Sequence, residues 1–304
     1  MNQITRRQFH AAFLGAAATG LAHAGQPPAA PARPRLAVST WSFHNYFPNT
    51  RYGNPTFKVE DLRLEQVLRR AQQQLDIHAF ELSSAHLASW EPKAVDQLKE
   101  FARENRIQFI HMSDNIRGVN MAHTDPKMRE EAMTTFERLI GVTQRLGIPT
   151  MRVNTGTPAA NPKWDMDVTI ASYRRLARFA RERQVEIIIE NHFGISADPA
   201  NVVRIIEAVG ENIGSCPDFG LFRDNDQRWA GMPQMLRHCR RIVSAKFHGL
   251  DEQNRHRDFD LERCYRLVRE ARFAGWCSLE YEGPLEPGEQ LRRMAPLARK
   301  WLEI

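Results

Sequence analysis

Short runs rich in Val, Ile, Leu and Phe recur along the chain at 36–43, 79–83, 108–113, 150–154, 185–191, 214–220, 242–249 and 276–281. Between and after them lie stretches whose apolar residues repeat at helical spacing: 64–75, 94–105, 127–146, 169–184, 200–209, 231–241, 261–273 and 289–302. The first set predicts strands, bounded for the most part by Gly, Pro and Asn turn residues, and the second amphipathic helices. Strands alternating with helices of 10–15 residues form parallel βα units, and eight of them predict a single (β/α)8 barrel of the α/β class. A doubly wound open sheet is the alternative. No Gly-rich phosphate fingerprint supports it, because the first run ends Ser39-Thr40-Trp41-Ser42-Phe43. One acid interrupts the fifth run: Glu186 has the parity of Ile188 and Glu190 but stands at the strand's start, where a structural, solvent-linked role is expected.

The alternation is absent from the beginning of the chain. Residues 1–24 hold Arg6-Arg7-Gln8-Phe9, an apolar segment at 11–22 and Ala22-His23-Ala24, the layout of a cleavable export signal. Its apolar part falls short of the ~20 residues needed to span a bilayer. The paired arginines resemble a twin-arginine signal, which implies an exported, periplasmic protein. Residues 25–34 carry four prolines and read as a linker, leaving 35–304 for the barrel. The formal charge of +6 becomes +4 without residues 1–24, which contain two arginines and no acid. The remaining charges are interspersed, with no basic stripe, so nucleic-acid binding is not indicated. The four cysteines form no CxxC pair and fall in apolar runs or helical stretches, which predicts buried free thiols.

Barrel enzymes carry their chemistry where the strands end. The late positions of runs five to eight offer Glu190-Asn191-His192, Pro217-Asp218-Phe219-Gly220, Lys246-Phe247-His248 and Leu279-Glu280-Tyr281-Glu282-Gly283. Glu190, Asp218, His248 and Glu280 are 28, 30 and 32 residues apart, one βα unit each. At one height on consecutive strands, three carboxylates and an imidazole suit one divalent ion: Mn, Mg, Co or Zn.

With these motifs the chain resembles the xylose-isomerase-like TIM-barrel superfamily of sugar isomerases and epimerases, over everything after the linker. The resemblance implies a metal held by Glu190, Asp218, His248 and Glu280, with Glu190 and Glu280 also exchanging protons with the sugar. Two departures stand out. Leu221 occupies the position of a second histidine, and the wider histidine set of the superfamily's DNA-repair nucleases is lacking, which argues against that activity. Lys246 shares the face of His248 and is either a substrate-binding cation or a group that crowds a metal.

Further substrate-binding candidates are Glu81 and His111 late in runs two and three, Asn154 at the fourth, His192 beyond Glu190, and Trp41 with Phe43 as an apolar wall. Glu282 shares the side of Glu280 and is placed to orient Lys246. Arg255 and Arg257 read as a solvated loop. The expected activity is metal-dependent isomerisation or epimerisation of a keto sugar or polyol through an enediolate. The alternatives are a keto-glycoside lyase using the same enolate chemistry and a non-catalytic exported sugar-binding barrel. The partner is a small carbohydrate, without stable membrane insertion; a homo-oligomer is compatible with all three.

Overall fold

A computed structural model of the chain describes residues 33–156 and 164–304. The export signal expected at 1–24 and nearly all of the linker lie outside the described residues. Eight parallel strands form one sheet: β1 (Arg35–Ser39), β2 (Ala79–Ser83), β3 (Gln108–Ser113), β4 (Thr150–Arg152), β5 (Glu186–Glu190), β6 (Ile213–Cys216), β7 (Ile242–Phe247) and β8 (Trp276–Tyr281). Each is followed by a helix: α1 (Leu64–Leu75), α2 (Pro92–Glu104), α3 (Pro126–Leu146), α4 (Met166–Arg181), α5 (Pro199–Val209), α6 (Asn225–Leu236), α7 (Leu261–Glu270) and α8 (Pro287–Leu302).

The strand order β6-β5-β4-β3-β2-β1-β8-β7 leaves β6 and β7 at the two ends of the ladder. A parallel bridge between Asp218 and Ser244 brings them together. There Phe219 N–H donates to the Ser244 carbonyl at 3.0 Å, and Ser244 N–H to that of Pro217 at 3.1 Å. The sheet thereby closes nearly into a ring, the (β/α)8 barrel read from the sequence.

Local chemistry explains the helix starts. Asp125, Asp165, Asp198, Asp224 and Asp260 each accept a backbone N–H in the first turn of the helix that follows. Such a cap contributes about 1 kcal/mol. The cap by Asp224 also explains the main departure from the sequence pattern. It starts α6 at Asn225, six residues before the apolar periodicity begins at Gly231, and the helix accommodates Pro233.

Most of the core lies between sheet and helices, with Phe80, Phe136, Tyr173, Phe219, Tyr265 and Leu279 fully buried. A separate cluster of Ala37, Ala79, Ile110, Ile188, Cys216 and Ile242 packs against Trp276. Alternation puts Ala79 on the face of Glu81, Ile188 on that of Glu190, and Ile242 on that of Lys246. This cluster is therefore an apolar filling of the barrel interior beneath the polar strand ends. At the N-terminal end of the strands, Glu186 meets Arg241 at 2.8 Å, the structural role expected of it. All four cysteines are free and buried. Among the described residues, no helix is long and apolar enough to cross a membrane.

Candidate active site

The strands converge on a buried cluster of charge at their C-terminal ends. Lys246, inward-facing on β7, stands between three carboxylates: its Nζ is 2.9 Å from Glu280 Oε1, 2.9 Å from Glu282 Oε2 and 3.4 Å from Asp218 Oδ2. Arg152, the last residue of β4, donates from Nη1 to Glu190 Oε2 at 2.8 Å and from Nε to Asp114 Oδ1 at 3.2 Å. Its Nη2 donates to the Asp114 carbonyl at 2.7 Å and to Asn115 Oδ1 at 3.0 Å. Both cations are about 5% exposed, as deeply buried as Asp114, Glu190, Asp218 and Glu280, while Glu282 is half-buried. Isolated buried charges cost several kcal/mol each, so such a group persists only when every member is paired.

Pairing and burial push the acids in different directions. Burial carries Glu190 up to about 8 against the pull of Arg152. Burial likewise raises Asp114 to about 6, again opposed by Arg152, and Glu282 to about 7. Asp218 is raised by burial against the attraction of Lys246. Glu280 moves the other way. Burial alone would raise it, but the charge and hydrogen bond of Lys246, aided by Arg152, hold it below the usual carboxylate range. Two carboxyls with separated proton affinities are the arrangement that proton-transfer sites use.

Above the cluster opens a cavity of about 490 Å³. Charged groups on its wall are Asp114, Arg117, Arg152, Lys246, Glu280 and Glu282, and Trp41, Tyr52 and Phe193 supply aromatic surface. The volume falls within the roughly 300–1,000 Å³ of small-molecule sites.

The sequence-predicted residues divide around this cavity. Trp41, Asn154, His192, Lys246 and Glu280 line it. Asn154 keeps a buried Oδ1, and His192 a buried Nδ1, without a hydrogen-bond partner. Burial lowers His192 well below its ordinary value, so the ring is neutral. Glu190 is buried behind Arg152 rather than on the wall, with His192 Nε2 3.9 Å from its Oε2. Glu81 and His111, expected as substrate contacts, do not line the cavity. They lie inside the barrel as a cross-strand pair on β2 and β3, with His111 Nδ1 2.7 Å from Thr150 Oγ1. Phe43 packs into the core rather than forming a wall. Arg255 pairs with Asp251, and Arg257 is exposed, as a solvated loop requires.

Sequence reasoning missed Arg152 and Asp114. The signal for Arg152 was available, since it shares the parity of Asn154 and so the same inward face.

The four residues expected to hold a divalent ion do not form a ligand set. The Lys246 ammonium stands between Asp218 and Glu280, and Glu190 is engaged by Arg152. His248 stands at the rim: its Nδ1 is 3.8 Å from Asp258 Oδ2, and the residue is absent from the cavity wall. The physical reason is that β7 ends at Phe247, so the alternation that aims Lys246 inward does not extend to residue 248. A different possible metal site lies at the rim, where ligand atoms of His248, His256 and Asp258 come within 4.8 Å of one another. There the backbone N of His248 lies 3.1 Å from His256 Nε2 and that of Asp258 3.2 Å from its Nδ1, and a neutral ring accepts at one of these two nitrogens.

An eight-unit barrel with a charged C-terminal mouth defines a class that the comparisons sharpen. Residues 69–302 match the family described as "Xylose isomerase-like TIM barrel", and the chain belongs to that family. Solved structures share the fold at low identity. D-allulose 3-epimerase from Methylomonas sp. aligns with TM-score 0.69 and 10% identity, over 89% of this chain and 99% of its own. D-psicose 3-epimerase from Clostridium cellulolyticum H10 gives 0.62 and 12%, over 88% and 97%. 3-Keto-D-glucoside 4-epimerase from E. coli gives 0.63 and 14%, over 89% and 99%. No curated protein matches the chain significantly.

Proposed function

We propose that the chain is a sugar isomerase or epimerase that moves a proton at the carbon next to a carbonyl of a keto sugar. One observation carries this: the carboxylate of Glu280, 2.9 Å from the Lys246 ammonium, shares the cavity wall with two buried cations, Lys246 and Arg152. Glu280 takes the proton from carbon. Lys246 and Arg152 face the oxygen on which negative charge then accumulates, and fixed cations in a water-poor site stabilise such charge strongly. Glu190, on β5, is the second carboxyl. Holding its proton up to about 8 behind Arg152, it is the group suited to return one. The epimerases that share this fold support the substrate class.

Incubation of the full-length protein with a panel of ketoses and keto-glycosides in deuterated water tests this. Incorporation of deuterium next to the carbonyl is the expected result, and no exchange with any member would overturn it.

A second reading, elimination of the substituent from a keto-glycoside, is favoured by the rim of Tyr52 and Phe193, each about two-fifths exposed. These rings offer an apolar wall where an aglycone would stand. Release of the aglycone, rather than exchange alone, distinguishes it. Export by the twin-arginine route belongs to the same proposal, supported by Arg6-Arg7-Gln8-Phe9 and the cleavage-site pattern. A reporter fused to residues 1–34 that stays in the cytoplasm when both arginines become lysine is the expected outcome.

A further inference from the structure

We infer that the ammonium of Lys246 takes the place of the divalent cation in this barrel, so that the site works with a protein-borne charge. An ammonium has three protons to donate. Lys246 Nζ has three carboxylates, from Asp218, Glu280 and Glu282, at 3.4, 2.9 and 2.9 Å. A divalent ion held by Asp218 and Glu280 needs their oxygens at roughly 2.0–2.6 Å, in the space that Nζ occupies, beside a like charge. Of the other two donors of the expected set, Glu190 is paired with Arg152, and His248 stands at the rim, 3.8 Å from Asp258 and off the cavity wall.

A second observation is independent of charge. A Cβ at Gly220 would stand 2.9 Å from Lys246 Cδ and 3.0 Å from its Cγ, closer than the 3.3 Å to His248 Cε1. Gly220 does not have a positive φ, so no backbone demand requires glycine there. What it supplies is room for the lysine stem. Beside it Leu221 lines the cavity with an apolar side chain that ligates nothing. The lysine, its three carboxylates and the glycine slot together form a built seat for an ammonium. The further role of that charge, facing the oxygen of an enolised sugar, rests on the proposed function; its exclusion of an ion does not.

The test reads metal binding without substrate. Purified full-length protein, stripped with EDTA and dialysed, is titrated with Mn²⁺ and with Zn²⁺ by calorimetry, and its thermal unfolding is followed with and without each ion. The wild type is expected to show no binding at the barrel centre and no rise in Tm that survives His256→Ala, which removes the rim group. Lys246→Met keeps the stem's bulk and removes the charge. It is expected to bind Mn²⁺ at least about tenfold more tightly than the wild type. Stoichiometric binding by the His256→Ala protein, with no tightening in Lys246→Met, would overturn the inference. If Lys246→Met does not fold, Lys246→Gln takes its place, and the His256→Ala titration decides by itself. Failure of every sugar to exchange a proton would sink the proposed function and leave these titrations unchanged.

Discussion

Replacing Arg152 by Met tests whether the buried charge cluster is held together as described. The substitution keeps a long apolar stem and removes the guanidinium from Glu190, at 2.8 Å, and from Asp114, at 3.2 Å. It also strips the Asp114 carbonyl and Asn115 Oδ1 of their donor. Breaking a buried pair by removing one partner costs roughly 3–5 kcal/mol, because the other charge, here chiefly that of Asp114 since Glu190 holds its proton up to about 8, stays buried and unpaired. At about 2–4 °C per kcal/mol for a domain of this size, Tm should fall by about 6–20 °C. The loss should also depend on pH. Glu190 already stands at about 8 in the folded protein, above its unfolded value, so its proton stabilises the fold at low pH and that contribution is lost as pH rises through about 8. Without Arg152, both carboxyls rise further, and their ionisation in the folded state becomes harder still. The deficit against the wild type should therefore be smaller near about pH 5 than near about pH 9, read from urea midpoints with constant slope. A loss under about 1 kcal/mol, the worth of an exposed ion pair, or a deficit independent of pH, would refute the account of a paired, water-excluded cluster.

Glu280→Gln should lower solvent deuterium exchange by about 10²- to 10⁴-fold, the usual contribution of a positioned acid or base, while ligand binding by calorimetry persists; unchanged exchange would remove Glu280 from the mechanism. The exchange rate should have two limbs: it falls in acid, as Glu280 gains the proton that Lys246 holds off, and it falls as pH rises through about 8, as Glu190 loses its own. A profile rising monotonically to about pH 10 would contradict that division of roles. Gly220→Ala pushes a methyl against the stem of Lys246 at 2.9 Å. It should cost about 1–3 kcal/mol by overpacking and lower exchange through KM and kcat together; full activity would show that the lysine has slack.

The barrel was legible because its code is redundant. Eight alternations repeat, and runs such as 108–113, 150–154 and 276–281 carry Gly, Pro or Asn close to both ends. The helix after β6 was not, since Asp224 starts it well before any apolar residue repeats. In the site, Glu190, Lys246 and Glu280 were legible from the parity of strands that run through them. His248 was misplaced because parity fails one residue past a strand end, and nothing local announces that β7 stops at Phe247. Arg152 escaped because a scan for apolar runs treats an arginine as an interruption. In a barrel, an inward arginine near the strand end instead marks a cluster of acids that needs a counter-charge.

The bridge between Asp218 and Ser244 has a consequence for the motion of the ring. Seven strand junctions are ladders, and the eighth is this one bridge with its two backbone hydrogen bonds, reinforced by Ser244 Oγ donating to Asp218 Oδ2 at 3.0 Å. The clasp of the ring is thus one of the acids that hold Lys246. Anything that pulls on the ammonium, whether a sugar oxygen or an invading ion, tugs the same carboxylate that fastens β6 to β7. Occupancy of the mouth should then be felt as a tightening or loosening of this seam, visible as altered amide protection at Phe219 and Ser244 while the opposite side of the ring stays quiet.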